Sequence, residues 1–266
     1  MKILPFSAFA LSAVLSGSVS AALVVDGNLH DWQIDPHTWV SSLPNVHSTV
    51  EDATGDSGVY LSPGYGGQAY DAEALYTTIQ DGKLWLALIT GHDPATENDP
   101  ANNSYGAGDF AVDFGKNGSY ELGINVITGG FGVAGGVYRN PTWAYGFWDG
   151  AGNYNPANPD PLHPTSLLGG TWIGMAAFDY SKNGAGGYGH WRSNKHFFYE
   201  ISLDLPTLYS AGWDGSEFNI HWTQNCANDS IMVDPGFAVP EPGSLALLGV
   251  GMIGVLGGGL RRRPKP

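Results

Sequence analysis

From His196 to Leu205 the chain alternates: Phe197, Tyr199, Ile201, Leu203 and Leu205 fall on every second position, with His196, Phe198, Glu200, Ser202 and Asp204 between them. A period of two places the first set on one face of an extended strand, so the segment reads as a half-buried strand with its mostly polar set outward. Glu217 to Asn225 repeats the pattern, with Phe218, Ile220 and Trp222 inward and Asn219, His221, Thr223 and Asn225 outward. Leu84 to Ile89 is apolar on both faces, which suits a central strand. Ala74 to Ile79, Asp109 to Phe114, Tyr120 to Ile127, Trp172 to Phe178 and Ile231 to Asp234 are further strand candidates, and only Leu205 to Ala211 reads as a helical turn. Many short strands separated by Gly, Pro, Asn and Asp clusters predict an all-β chain, an antiparallel, jelly-roll-like β-sandwich. A barrel is the alternative. No repeat of roughly 20–50 residues is present, which disfavours a propeller or solenoid.

The two ends follow other rules. Residues 1–22 carry one basic residue, Lys2, then an apolar stretch, then small residues up to Ala21 and Ala22. That order predicts a secretory signal peptide cleaved by signal peptidase, too short in its apolar part to span a bilayer. At the other end Pro240, Glu241 and Pro242 precede an apolar stretch from Leu245 to Leu260 and the basic cluster Arg261, Arg262 and Arg263. The apolar stretch measures about 24 Å as a helix against about 30 Å of hydrocarbon, and its glycines weaken it further. The basic cluster would hold its end in the cytoplasm while the domain sits outside. This tripartite tail resembles the PEP-CTERM sorting signal of Gram-negative bacteria. The resemblance implies recognition and processing by a membrane exosortase, transient anchoring by the tail, and delivery to the cell surface or an extracellular matrix. The expected organisation is a signal peptide (1–22), an exported β-sandwich (23–236), and a linker with an apolar sorting helix (237–266).

Removing both ends takes away five of the 11 basic residues but only one of the 25 acidic ones. An exported domain this acidic lacks the Lys and Arg clusters that nucleic acid or anionic membrane surfaces demand, so membrane contact is expected only through the tail. Cys226 is the single cysteine, so no internal disulfide can form and stability must come from burial or bound ions.

Val25 to Trp32 reads Val-Asp-Gly-Asn-Leu-His-Asp-Trp. It resembles the opening of carbohydrate-binding domains of the family 9 type, and Phe198 to Leu203 resembles their penultimate strand. The resemblance implies a β-sandwich with a glycan or calcium function and identifies no ligand. Gly129 to Gly170 shows little strand pattern and is rich in rings, Tyr138, Trp143, Tyr145, Phe147, Trp148 and Tyr154, interleaved with Gly, Asn and Pro. Long connections of this kind are usually functional, and flat rings with polar neighbours such as Arg139, Asn140, Asp149 and Asn153 suit sugar faces. Tyr138, Trp143, Tyr145, Trp148 and Tyr154 are therefore the candidate glycan-binding residues; the competing reading is a small core beneath the loop.

Acidic and amide oxygens cluster at Asp26, Asn28 and Asp31, at Asp52 and Asp56, and at Asp93, Glu97, Asn98, Asp99 and Asn102. Calcium takes six to eight such oxygens, but ordinary turn chemistry explains each group equally well, so no metal ligand set is named. Cys226 with His221 could suggest a nucleophile and base, but Cys226 shares the inward register of Trp222. Glu200 with Asp204, or Asp109 with Asp113, could be drawn as a glycosidase pair, as any strand with a polar face allows. No zinc-hydrolase spacing, phosphate loop or nucleophile elbow is present. The expectation is a noncatalytic surface or matrix protein that binds extracellular polysaccharide and needs no cofactor, with calcium left open. A ligand-free structural surface protein and a secreted glycan hydrolase are the alternatives.

Overall fold

Leu84, Leu86 and Leu88 point from one sheet toward Phe110, Val112, Leu122 and Ile124 of another, and this interface is the main core. The architecture comes from a computed structural model that describes residues 22–52, 66–127 and 131–235. The strands are β1 (His47–Val50), β2 (Ala72–Gln80), β3 (Lys83–Thr90), β4 (Phe110–Phe114), β5 (Leu122–Ile124), β6 (Gly136–Tyr145), β7 (Pro164–Met175), β8 (Ala177–Tyr180), β9 (Phe197–Asp204), β10 (Phe218–Thr223) and β11 (Ser230–Val233). One sheet has the order β1-β2-β3-β9-β8 and the other β11-β10-β4-β5-β6-β7. Every pairing is antiparallel. The result is the expected all-β sandwich. The signal peptide, the sorting motif residues Pro240, Glu241 and Pro242, the arginines at 261–263 and the tail helix lie outside the described residues. Among the described residues no helix is long and apolar enough to cross a membrane.

The central strand β3 takes its place because both of its faces are apolar. Leu84, Leu86 and Leu88 enter the inter-sheet core, while Trp85, Ala87 and Ile89 face a second core formed with Leu23, Leu29, Trp32, Trp39 and Leu43. Segment 22–43 thus covers the outer face of the first sheet. This corrects the half-buried reading of His196 to Leu205: β9 is buried on both faces, with His196 and Glu200 almost wholly enclosed. His221 and Thr223, expected outward on β10, are buried as well. The helix α1 (Leu205–Ala211) forms where expected, starting at Pro206 in its first turn and ending at Gly212, whose φ of 111° allows the left-handed cap.

Two expectations fail for related reasons. Trp172 to Phe178 is not one strand: Ala176 separates β7 from β8, and the chain changes sheets there. Gly129 to Gly170 is not a structureless connection, since it contains all of β6 and the start of β7. Asn140 and Pro141 interrupt β6 and Gly169 and Gly170 interrupt β7, and the pairing shifts register between Arg139 and Thr142. Tyr138 and Trp143 are an odd number of positions apart and would face opposite ways in a regular strand. The bulge, with Asn140 at φ 48°, turns both into one cluster with Ala111 and Leu167.

Candidate functional site

The ring-rich segment divides into buried and exposed parts. Tyr138 and Trp143 are buried in the small core on the outer face of the second sheet, and Tyr145 packs half-buried against it. Tyr138 and Trp143 offer no open ring face, while Tyr145 stays half-buried. Beyond β6 a compact turn is held by Asp149, whose Oδ1 accepts the amides of Ala151 and Asn153, each at 3.0 Å. A bridge pairs Trp148 with Tyr154 across that turn. The Tyr154 ring is 69% exposed, with its centroid 6.0 Å from those of Trp148 and Phe147, and Phe147 in turn meets Tyr105 at 5.2 Å. Trp148 Nε1 donates to Asn228 Oδ1 at 3.3 Å, which ties the ring group to the β10–β11 turn. Of the five rings proposed from sequence, Trp148 and Tyr154 come together at the surface; Tyr105 and Phe147 complete the patch.

The carboxylates drawn as possible acid–base pairs are engaged by the fold. Glu200 Oε2 accepts the amides of Asp26, Gly27 and Asn28 at 3.0, 2.8 and 3.1 Å, and its Oε1 accepts Trp32 Nε1 at 2.9 Å. Segments 25–32 and 198–203 therefore meet at this one carboxylate. Burial pushes Glu200 up to about 7 against the pull of these donors. Asp204 pairs with Lys83 at 2.9 Å. Asp109 accepts the amides of Val126 and Leu167, each at 2.7 Å, and Asp113 accepts those of Asn117 and Gly118. Cys226 is buried and burial pushes its thiol up to about 12, the reverse of an activated nucleophile. His221 faces His163 at 3.2 Å, and burial holds both rings below the usual imidazole range.

The acidic clusters also sort themselves. Asp26 and Asn28 cap successive turns, and Asp31 accepts the Val24 amide. Asp93 and Asn98 accept backbone amides, while Asn102 donates to Asp99. Asp56 lies outside the described residues, but Asp52 joins a group that the sequence did not reveal. Ligand atoms of Asp52, Asp71 and Glu73 lie within 4.8 Å of one another, at the start of β2 and the end of β1. Glu73 is the extra residue of a β-bulge opposite Thr90 and Ile89. Its Oε1 accepts from Gln68 Nε2 and its Oε2 meets His196 Nδ1, both at 2.6 Å. Asp52 Oδ2 accepts Trp39 Nε1 at 2.8 Å, leaving Oδ1 buried and without a hydrogen-bond partner among the described residues. Asp71 is completely buried; neither of its oxygens meets a donor among the described residues, and the side chain within hydrogen-bonding reach is another carboxylate, Asp229, which can bond it only through a shared proton. Burial, followed by the charges of Glu73, Asp229 and Asp52, holds Asp71 far above the usual carboxylate range. A polar pair interrupting an otherwise apolar strand start, Asp71-Ala72-Glu73, was the available sequence signal.

Residues 238–263 match the PEP-CTERM protein-sorting motif. No curated protein and no solved structure matches the chain.

Proposed function

We infer, from the PEP-CTERM sorting motif at residues 238–263, that the chain is an exosortase-sorted surface or secreted protein, exported and held by its C-terminal segment before sorting. We propose that its β-sandwich is a noncatalytic module that binds extracellular polysaccharide through the ring patch centred on Tyr154. The exposed Tyr154 ring carries this reading, because an apolar face of that size in a turn fixed by Asp149 costs little to pre-organise. Trp148 and Phe147 flank it, and Asn153 offers amide groups to sugar hydroxyls. Binding is favoured over hydrolysis because Glu200, Asp204, Asp109 and Asp113 are bonded to the fold itself.

Retention of the purified full chain on exopolysaccharide extracted from its producer tests the reading. Tyr154→Ala should weaken retention by about 1–3 kcal/mol without lowering the melting temperature. Binding of sugar should also change Trp fluorescence, since Trp148 adjoins Tyr154. Wild-type protein that ignores the polysaccharide, or Tyr154→Ala protein retained as well as wild type, would remove the proposal and leave a structural surface protein.

A further inference from the structure

We infer that Asp52, Asp71 and Glu73 form a binding site for a hard divalent cation of the calcium class, which ties β1 and β2 to the β10–β11 turn. Asp71 is the residue that points to a ligand. A carboxylate sealed from water with no donor to either oxygen among the described residues loses its hydration and meets in return another carboxylate, Asp229, which can bond it only by sharing a proton. Its surroundings deepen the problem, because the groups acting on it are the carboxylates of Glu73, Asp229 and Asp52.

Neutralisation by lysine or arginine is not what the fold supplies here. The lysine ion pairs of the described residues, Lys83 with Asp204 and Lys116 with Glu217 and Asp234, lie elsewhere. Residues 53–65, which follow Asp52 in the sequence, contain no Lys, Arg or His. Among the described residues the cationic candidate in contact is His196, whose carboxylate partner is Glu73. One proton could relieve one carboxylate, whereas a divalent ion relieves three at once and accepts the free oxygens of Asp71 and Asp52 as ligands. An all-oxygen donor set built on two aspartates and a glutamate is chemistry for calcium or magnesium rather than for a thiolate- or imidazole-seeking metal. The irregular setting, a bulge at Glu73 beside the end of β1, suits the flexible coordination of calcium better than the strict octahedron of magnesium.

Asp229 links this group to the rest of the molecule. Its Oδ2 accepts the Ala72 amide at 3.0 Å and its Oδ1 accepts the Ser230 amide at 2.8 Å. A cation beside Asp71 would therefore brace the contact between β2 and β11. The inference does not depend on glycan binding.

The test uses the full chain purified in mild detergent, treated with EDTA and then titrated with calcium chloride, with magnesium chloride in parallel. One calcium per chain should bind, and the melting temperature should rise with calcium more than with magnesium. Asp71→Asn should abolish both responses, and in EDTA it should melt close to wild type, because the amide keeps the shape of the carboxyl it replaces. Should Asp71→Asn fail to fold, Asp52→Asn decides, with calcium affinity expected to fall by at least about tenfold. Glu97→Gln, at an exposed acidic turn, should change nothing. The inference is overturned if EDTA-treated wild type takes up no calcium at roughly millimolar free ion. It is equally overturned if Asp71→Asn and Asp52→Asn bind calcium like wild type, which would put the ion elsewhere.

Discussion

Trp32 Nε1 donates to Glu200 Oε1 at 2.9 Å, joining the covering segment 22–43 to the sheet beneath it. Both side chains are almost wholly buried, and the same carboxylate gathers three successive amides from Asp26 to Asn28. Glu200→Ala would leave three donors, the amides of Asp26 and Gly27 and the Trp32 indole, without an acceptor inside the protein, while the Asn28 amide keeps Asp26 Oδ1, and stability should fall by about 3–5 kcal/mol. Trp32→Phe removes one donor and part of a packed ring, for a loss of about 1–3 kcal/mol. Urea denaturation of the full chain measures both. A loss below about 1 kcal/mol for Glu200→Ala would mean that segment 22–43 does not depend on this carboxylate.

Gly27 sits at the tightest point of that junction. Its φ is 73°, and a Cβ there would lie 2.8 Å from the carbonyl carbon and oxygen of Tyr180. Gly27→Ala therefore combines an unfavourable backbone with a clash against backbone that cannot swing aside, and should cost at least about 1–3 kcal/mol. The measurement is again the denaturation midpoint, with proteolysis near the N-terminus as a local readout.

Stability should depend on pH in an unusual direction. Burial raises Glu200 to about 7 and Asp109 to about 6 from ordinary values of 4.5 and 3.8. Between the unfolded and folded values the native state holds the extra proton, so stability falls as pH rises through that window; Glu51, also raised to about 7, adds to the fall, and Asp71, raised to about 9, extends it above 7. Asp35, Asp149 and Asp214 act oppositely: hydrogen bonds hold them below 3.8, and their contribution is lost as pH falls beneath that value. Buried His92, His163 and His221, held below the usual 6.5, act against this in the acid range, so the fall in melting temperature in EDTA should be concentrated above about pH 6.5, with a second fall in stronger acid. Glu200→Gln should flatten the upper limb. A wild-type melting temperature that rises steadily from pH 5 to 7.5 would contradict this assignment.

The sandwich was legible because β3, β9 and β10 write their periodicity plainly, and α1 because Pro206 and Gly212 bracket it. β6 was illegible because Asn140 and Pro141 break its alternation, and Gly169 and Gly170 break its partner at the matching place. Periodicity also could not show that Glu200 lies indoors, since the cover over β9 comes from residues far earlier in the chain. The group at Asp71 was hidden for the same reason: Asp52, Glu73, His196 and Asp229 share no local pattern and are assembled by sheet pairing. Of the ring segment, Tyr154 is exposed and Trp148 half-buried beside it.

Trp143 provides the contrast to Tyr154. Its ring packs with Leu167, Tyr138 and Ala111, and Gly123 opposite has no room for a side chain: a Cβ would lie 2.6 Å from Leu167 and 2.9 Å from Trp143. Trp143→Ala should therefore cost about 3–5 kcal/mol of stability through the cavity it leaves. Tyr154→Ala, at an exposed position, should change stability by less than about 0.5 kcal/mol. Paired unfolding curves separate the two. A stable Trp143→Ala protein would show that the outer face of the second sheet is loosely packed.

The tail makes a prediction about location rather than stability. Residues 238–263 match the sorting motif, and Arg261, Arg262 and Arg263 close its basic end. A triple change to Glu removes the positive charge that retains this end in the cytoplasm, while leaving Pro240, Glu241 and Pro242 intact. The variant should accumulate unsorted in the envelope or be misrouted, whereas wild type should reach the exterior with its tail processed. Intact mass of the extracellular form gives the first readout, and fractionation of wild type against the triple variant gives the second. Extracellular wild-type protein that still carries all three arginines would defeat processing, and unchanged fractionation of the variant would show that the arginines are not what the sorting machinery reads.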